Sequence, residues 1–301
     1  MRRRRGLLGS ALAFLASGLV VGAGWFAGSA PAAAAPNPPA GRAQSITVSQ
    51  CTAVTVIAHR GGVLGRDKVH TEDSLGSFRD VAALAAQAAS SGLTVTAETD
   101  IWPTRANADG DRAWVSNHDR TLDRTTTGTG RIDDHTWHQL RPVRYDDGEP
   151  LTRFGPAVAY LATTGAHFQV EIKPERVSSR SLRALIHIVL KNHMRHRFEF
   201  TSFHTDTLRH VHRIDPTIRL GFLTFGDTVP SGMTSIVEEA HLKSTSVTAA
   251  GIAAIQDAGL EVGVWAPDSP TEWRTYIKDG TNAITTDEAQ TYYDWCVGLA
   301  P

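Results

Sequence analysis

The chain has 301 residues, 41% hydrophobic and 20% charged, with a formal net charge of −1. That make-up is ordinary for a folded globular protein and, after loss of a leader, suffices for one large barrel or two small domains. Near-neutral charge argues against nucleic acid as a partner, because a polyanion is held by an excess of basic side chains.

Arg2 to Arg5 form a basic segment, Leu7 to Ala27 a Gly- and Ala-rich apolar run, and Ala32 to Ala35 supply small residues for cleavage. Residues 1–35 therefore read as an export signal peptide and the mature protein as secreted and extracellular. A cut after Ala34 is favoured over one after Ala35, where Pro36 would follow directly. Arg4-Arg5-Gly6-Leu7-Leu8 resembles a twin-arginine signal, and a general Sec signal fits as well. The apolar run is long enough to span a bilayer, but its glycines and the alanine stretch favour release, with no stable membrane insertion after cleavage. Loss of the four arginines takes the formal charge from −1 to −5, which suits a small or cation-bridged anionic substrate better than a membrane surface.

Residues 36–50 read as a Pro/Gly/Ser-containing linker leading into a folded unit over 51–301. Cys51 and Cys296 are the only two cysteines. In an exported chain such a pair reads as a disulfide, and two sulfurs are too few for a cysteine-based zinc site. Short β-like runs then alternate with helical patterns, at 53–58, 94–101, 112–117, 167–173, 198–203, 217–224, 240–246, 261–266 and 282–286. Helical periodicity marks Ser74 to Ser90, Ser178 to His193, Thr248 to Ala258 and Thr271 to Asp279. Alternation of this kind specifies an α/β fold of the TIM-type (β/α)8 barrel class. The ninth run is accounted for by a hairpin turning at Asp109-Gly110, which makes one strand irregular or antiparallel. Residues 119–165, weakly periodic and rich in turn residues, read as a small cap inserted on the ligand face.

Chemistry-bearing residues sit where the strands end. His59-Arg60-Gly61 closes the first run, and Glu98-Thr99-Asp100, His118-Asp119 and Glu171-Ile172-Lys173 close later ones. Side chains two apart on a strand share a face, so Glu98 and Asp100 point one way, as do Glu171 and Lys173. Polar groups at the carboxyl ends of barrel strands converge on one mouth. Three carboxylates gathered there repel unless a cation lies among them, and hard oxygen donors favour Ca²⁺ or Mg²⁺. Glu72 offers either a further oxygen or a cap for the following helix. Trp265 is placed between core and pocket wall, and Asp287 reads as structural. The other histidines, among them His187, His193, His196, His204, His210 and His212, fall on helical or loop segments with basic neighbours and read as solvated. No Gly-x-Ser-x-Gly elbow or P-loop is present.

These motifs, in this order, with Thr71-Glu72-Asp73-Ser74-Leu75 between the first two, resemble the glycerophosphodiester phosphodiesterase family over most of residues 54–287. The resemblance implies a secreted, metal-dependent hydrolase that cleaves a small glycerophosphodiester to glycerol phosphate and an alcohol. It implies that His59 and His118 are the general acid–base pair, Arg60 and Lys173 hold the phosphate, and Glu98, Asp100 and Glu171 bind the metal. The chain departs from the family pattern in three places. It has Glu72-Asp73-Ser74 for Glu-Asn-Thr and Trp265-Ala266-Pro267-Asp268 for a Trp-Thr-Val-Asn-like segment, and Glu288 rather than a proline follows Asp287. The rivals are a phospholipase D of the sphingomyelinase D kind on the same barrel and a catalytically silent carbohydrate- or phosphate-binding protein.

Overall fold

A computed structural model of the protein describes residues 45–65 and 69–299. The expected signal peptide and most of the expected linker lie outside these residues. Ser45 onward forms one compact unit. The linker reading ends too late: Ile46 is buried, and residues 48–50 already belong to helix α1 (Val48–Thr52), closed at its start by a Thr47/Gln50 capping box.

Nine strands follow: β1 (Thr55–Ala58), β2 (Val95–Pro103), β3 (Trp114–Ser116), β4 (His167–Ile172), β5 (Phe198–Ser202), β6 (Arg219–Thr224), β7 (Glu239–Lys243), β8 (Glu261–Trp265) and β9 (Ala283–Thr286). Each corresponds to a run expected from the sequence. Eight of them pair in parallel in the order β1-β9-β8-β7-β6-β5-β4-β2, and β1 pairs with β2 to close the barrel. The extra strand is β3, antiparallel to the far end of β2 with Ile101 opposite Ser116, which is the hairpin turning near Gly110.

Alternation along the strands sets what lies inside. Phe168, Val170 and Ile172 of β4 join the hydrophobic core between sheet and helices, while Gln169 and Glu171 take the other face. β2 does the same, with Val95 and Ala97 in the core and Thr96, Glu98 and Asp100 turned away from it. The barrel lumen is consequently polar, and the apolar packing lies outside it, against the helices.

The main helices are α2 (Leu75–Ala88), α3 (Trp137–Leu140), α4 (Phe154–Ala162), α5 (Ser179–Lys191), α6 (Thr205–Ile214), α7 (Ala249–Asp257), α8 (Pro270–Lys278) and α9 (Ala289–Val297). Side-chain caps start four of them: Ser74 for α2, Ser178 for α5, Thr248 for α7 and Ser269 for α8. The expected cap insertion, 119–165, is too long at its end. Phe154, Ala157, Val158 and Leu161 of α4 belong to the main core, so α4 is a barrel helix and the insertion closes before it. The insertion has a separate small core of Val115, Leu122, Ile132, Leu140, Tyr145 and Leu151.

Asp133 ties this insertion together, accepting hydrogen bonds from Arg120 at 3.0 and 2.5 Å and from Arg131 at 3.2 and 2.9 Å. The Arg120 bonds hold its carboxyl well below the usual carboxylate range, against a smaller opposing effect of burial and with further help from Arg131. A carboxyl depressed on folding stabilises above its unfolded pKa and loses that contribution as the pH falls through the folded value. Asp133→Asn should therefore lower Tm at neutral pH by at most about 3 °C, as suits a half-exposed ion pair. Thermal melts of the two proteins should converge in acid; a constant difference at all pH values would refute the assignment.

Cys51 and Cys296 are bonded as expected, 245 residues apart in sequence with Cα atoms separated by 5.7 Å. Around them α1 meets α9, and Tyr292 Oη donates to the Cys51 carbonyl at 3.2 Å. Closing so long a loop restricts the unfolded chain, and on that basis Cys51→Ala/Cys296→Ala should lose about 2–5 kcal/mol in denaturant unfolding. Equal midpoints with and without the bridge would contradict this.

Candidate active site

His59-Arg60-Gly61 forms a single tight turn where β1 ends. Gly61 has φ +76°, and a Cβ there would come within 2.3 Å of Ser77 Oγ at the start of α2, so only glycine fits. The turn aims three groups at the barrel mouth. The His59 ring donates through Nδ1 to Asp287 Oδ1 at 2.7 Å. The Arg60 backbone N–H donates to Glu98 Oε2 at 2.7 Å, and its guanidinium reaches Glu72 Oε1 at 3.0 Å.

His118 stands just past β3, at the root of the insertion, and donates through Nδ1 to Asp119 Oδ1 at 2.8 Å. Both imidazoles are thus anchored at Nδ1, leaving Nε2 for proton transfer. Burial lowers the His118 pKa from its ordinary value; Asp100 opposes the shift, while Lys173 and Arg60 add to it. At neutral pH the ring is held toward its neutral form.

Glu98, Asp100 and Glu171 are all buried, on the adjacent strands β2 and β4. Lys173 Nζ lies between two of them, 2.8 Å from Asp100 Oδ1 and 2.9 Å from Glu171 Oε2. Burial pushes the Glu171 carboxyl up to about 8 despite Lys173, with Asp100 adding to the rise. Burial and then Asp100 likewise raise Glu98. Asp100 goes the other way: burial is overcome by Lys173, His118 and Arg60, which hold it ionised. Asp100 Oδ2 and Arg60 Nε are buried without hydrogen-bond partners, 3.6 Å apart.

Three buried carboxylates, two of them resisting ionisation and one with an unpartnered oxygen, have the donor chemistry of a hard divalent site, but their oxygens do not all lie within 4.8 Å of one another, and Lys173 stands between two of them. Glu72 does not cap α2, since Ser74 does. Its carboxylate is engaged by Arg60 and Arg124, so it braces the Arg60 guanidinium.

A cavity of about 360 Å³ brings His59, Arg60, Glu98, Asp100, His118, Glu171, Lys173 and Trp265 onto one surface. Its far wall is aromatic: Phe203 stacks on Phe225 at 4.8 Å, Trp265 meets both edge-on, and Lys243 Nζ lies 5.4 Å from the Phe225 ring centre. Trp265 is thus pocket wall, with its indole N–H donating to the His241 carbonyl at 3.2 Å. The sequence reading missed Asp287 as the partner of His59, 228 residues away, and missed the wall formed by Phe203 and Phe225. Only the adjacency of Asp287 to a strand end signalled the first, and nothing local signalled the second.

The profile of the glycerophosphoryl diester phosphodiesterase family matches residues 59–291. A glycerophosphodiester phosphodiesterase of Caldanaerobacter subterraneus subsp. tengcongensis is 24% identical over 247 residues, 78% of this chain and 95% of that protein. An Oleispira antarctica phosphodiesterase, solved in complex with the product sn-glycerol-3-phosphate, superposes with a TM-score of 0.65 at 21% identity, over 84% of this chain and 100% of that one. A glycerophosphodiester phosphodiesterase from Parabacteroides distasonis gives 0.67 at 19% identity, over 83% and 99%. At such identities these likenesses bear on the fold, which is the closed eight-stranded barrel described above.

Proposed function

Because this chain belongs to the glycerophosphoryl diester phosphodiesterase family, a family of phosphodiester hydrolases, we propose that it is a secreted, divalent-metal-dependent enzyme. It hydrolyses glycerophosphodiesters to glycerol phosphate and an alcohol by paired histidine catalysis. The observation that carries this reading is the shared cavity: two imidazoles, each anchored at Nδ1 by an aspartate, open on it together with two cations and three buried carboxylates.

Glu98, Asp100 and Glu171 would hold the metal, and Ca²⁺ or Mg²⁺ bound there supplies positive charge against the phosphate oxygens. Arg60 and Lys173 add to that charge, countering the repulsion between an anionic diester and a nucleophile. His118, kept neutral by burial, suits the base that takes a proton from the attacking hydroxyl. His59, held at Nδ1 by Asp287 with Nε2 toward the cavity, suits the acid that protonates the departing alkoxide. The aromatic wall and Trp265 bound the space for the organic parts of the substrate. Attack by water and attack by a neighbouring glycerol hydroxyl are both compatible with this set.

Export is supported by the basic and apolar N-terminal sequence and by the Cys51–Cys296 bridge, which persists in oxidising compartments. Among the described residues no helix is long and apolar enough to cross a membrane. ³¹P NMR of the full chain with glycerophosphocholine, a lysophospholipid and sphingomyelin, each with Ca²⁺ or Mg²⁺, tests the reading. Glycerol phosphate from the first substrate is the expected result, and a transient cyclic phosphate would identify intramolecular attack. Turnover of the lipids alone, or of none, would overturn it.

A further inference from the structure

The lower barrel lumen holds charge where branched apolar side chains are the usual filling. Gln169, Glu199, Glu239 and His241, from β4, β5 and β7, are each more than nine-tenths buried there. One ligand atom from each of Glu199, Glu239 and His241 lies within 4.8 Å of the other two. His241 Nε2 is 3.2 Å from Glu199 Oε2 and 3.8 Å from Glu239 Oε2. Two glycines make the room: a Cβ on Gly221 would come 2.9 Å from both Glu199 Oε1 and His241 Nε2, and one on Gly263 would come 2.4 Å from His241 Nδ1.

His241 Nδ1 is buried without a partner in every protonation state, metal-bound or not, and what singles out the cluster is Nε2 facing two carboxylates. As an imidazolium, or as the neutral ring protonated at Nδ1, it buries an Nδ1–H with no acceptor. The second of these also turns the Nε2 lone pair onto two carboxylates. Protonated at Nε2 alone, it donates to Glu199 Oε2 at 3.2 Å, which Gln169 Nε2 also reaches at 2.7 Å, and leaves the Nδ1 lone pair buried without a donor. Turning the Gln169 amide over takes its donor away from Glu199. Glu199 Oε1 and Glu239 Oε1 are also buried without hydrogen-bond partners.

The charges are unequal as well. Arg219 alone faces Glu239 at 2.9 Å, Glu199 at 3.4 Å and the more exposed Glu261. One guanidinium therefore serves both buried carboxylates.

We propose that the base of the barrel is a second metal site, in which Glu199, Glu239 and His241 Nε2 hold a divalent first-row transition ion of the Zn²⁺ class. An imidazole nitrogen with carboxylate oxygens selects such borderline ions over Ca²⁺. The Gln169 amide oxygen, turned inward, would be a fourth donor. Arg219 braces both carboxylates from outside, the place that outer-shell partners take around metal sites. A cavity of about 270 Å³ lined by Glu199, Arg219, Glu239 and Glu261 gives the ion a route from solvent. The site ties β5 to β7 across β6.

The test uses the full chain carrying Glu98→Gln, Asp100→Asn and Glu171→Gln, so that the mouth carboxylates do not contribute. Titration with Co²⁺, followed by visible absorption, should show one equivalent bound and displaced by Zn²⁺, with Tm raised by Zn²⁺. Adding Glu239→Gln or His241→Gln should weaken that binding by about 100-fold while circular dichroism stays the same. No binding, or binding indifferent to both substitutions, overturns the proposal. Anomalous diffraction at the zinc edge from the unsubstituted protein decides the matter without any variant. A peak among Glu199, Glu239 and His241 supports the site, and a peak only at the mouth, or none, refutes it.

Discussion

His59→Ala is expected to lower kcat on glycerophosphocholine by about 10²–10⁴-fold, the usual contribution of a positioned acid or base. The fold should survive, because His59 is partly exposed at the cavity rim and leaves the β1 core untouched. A substrate whose leaving group departs unaided separates the roles of the two histidines. With a p-nitrophenyl ester of glycerol phosphate, the His59 variant should recover most of its rate if that ring protonates the leaving oxygen. The His118 variant should not, because the nucleophile still needs its base. Unchanged turnover of the alkyl substrate by His59→Ala would remove the histidine pair from the mechanism. Recovery by the His118 variant instead would exchange the two assignments.

Chelation is expected to have an effect of similar size. EDTA should abolish turnover and Ca²⁺ or Mg²⁺ restore it, because without a dication burial holds Glu98 and Glu171 toward their protonated forms. Asp100 is the carboxylate kept ionised against burial by Lys173 and Arg60, so Asp100→Asn removes the one formal charge already in place. The variant should need about 10–100-fold more metal for half-maximal rate, within the range typical of damage to a metal site. Full activity in EDTA after exhaustive dialysis would show that the two cations carry the phosphate alone.

Much of this molecule was legible because each strand announces itself locally. Val54 to Ala58 is a largely apolar run ending in His59-Arg60, Phe168 to Ile172 alternates apolar with polar residues and ends in Lys173, and strand alternation alone puts Glu98 with Asp100. Helix α4 was hidden because Gly155 and Pro156 sit in its first turn and gave it the look of a loop. Helix α6 was hidden because its buried face is carried by little more than Leu208 and Val211 among basic side chains. What could not be read were pairings made by closure of the barrel. Asp287 reaches His59 only because β9 lies beside β1, and Glu72 meets Arg124 only because the insertion folds back over the first loop. Such partners have no spacing rule.

The Cys51–Cys296 bridge also bears on how this barrel may be rearranged. Its Cα atoms stand 5.7 Å apart, so helix α1 near the start of the folded unit and helix α9 near its end lie side by side. A short peptide could join those points while new termini open in the exposed turn at residues 107–111, far along the chain from β1 and β9. A circularly permuted enzyme made this way would keep the strand order around the ring and need no sulfur bond to hold its seam.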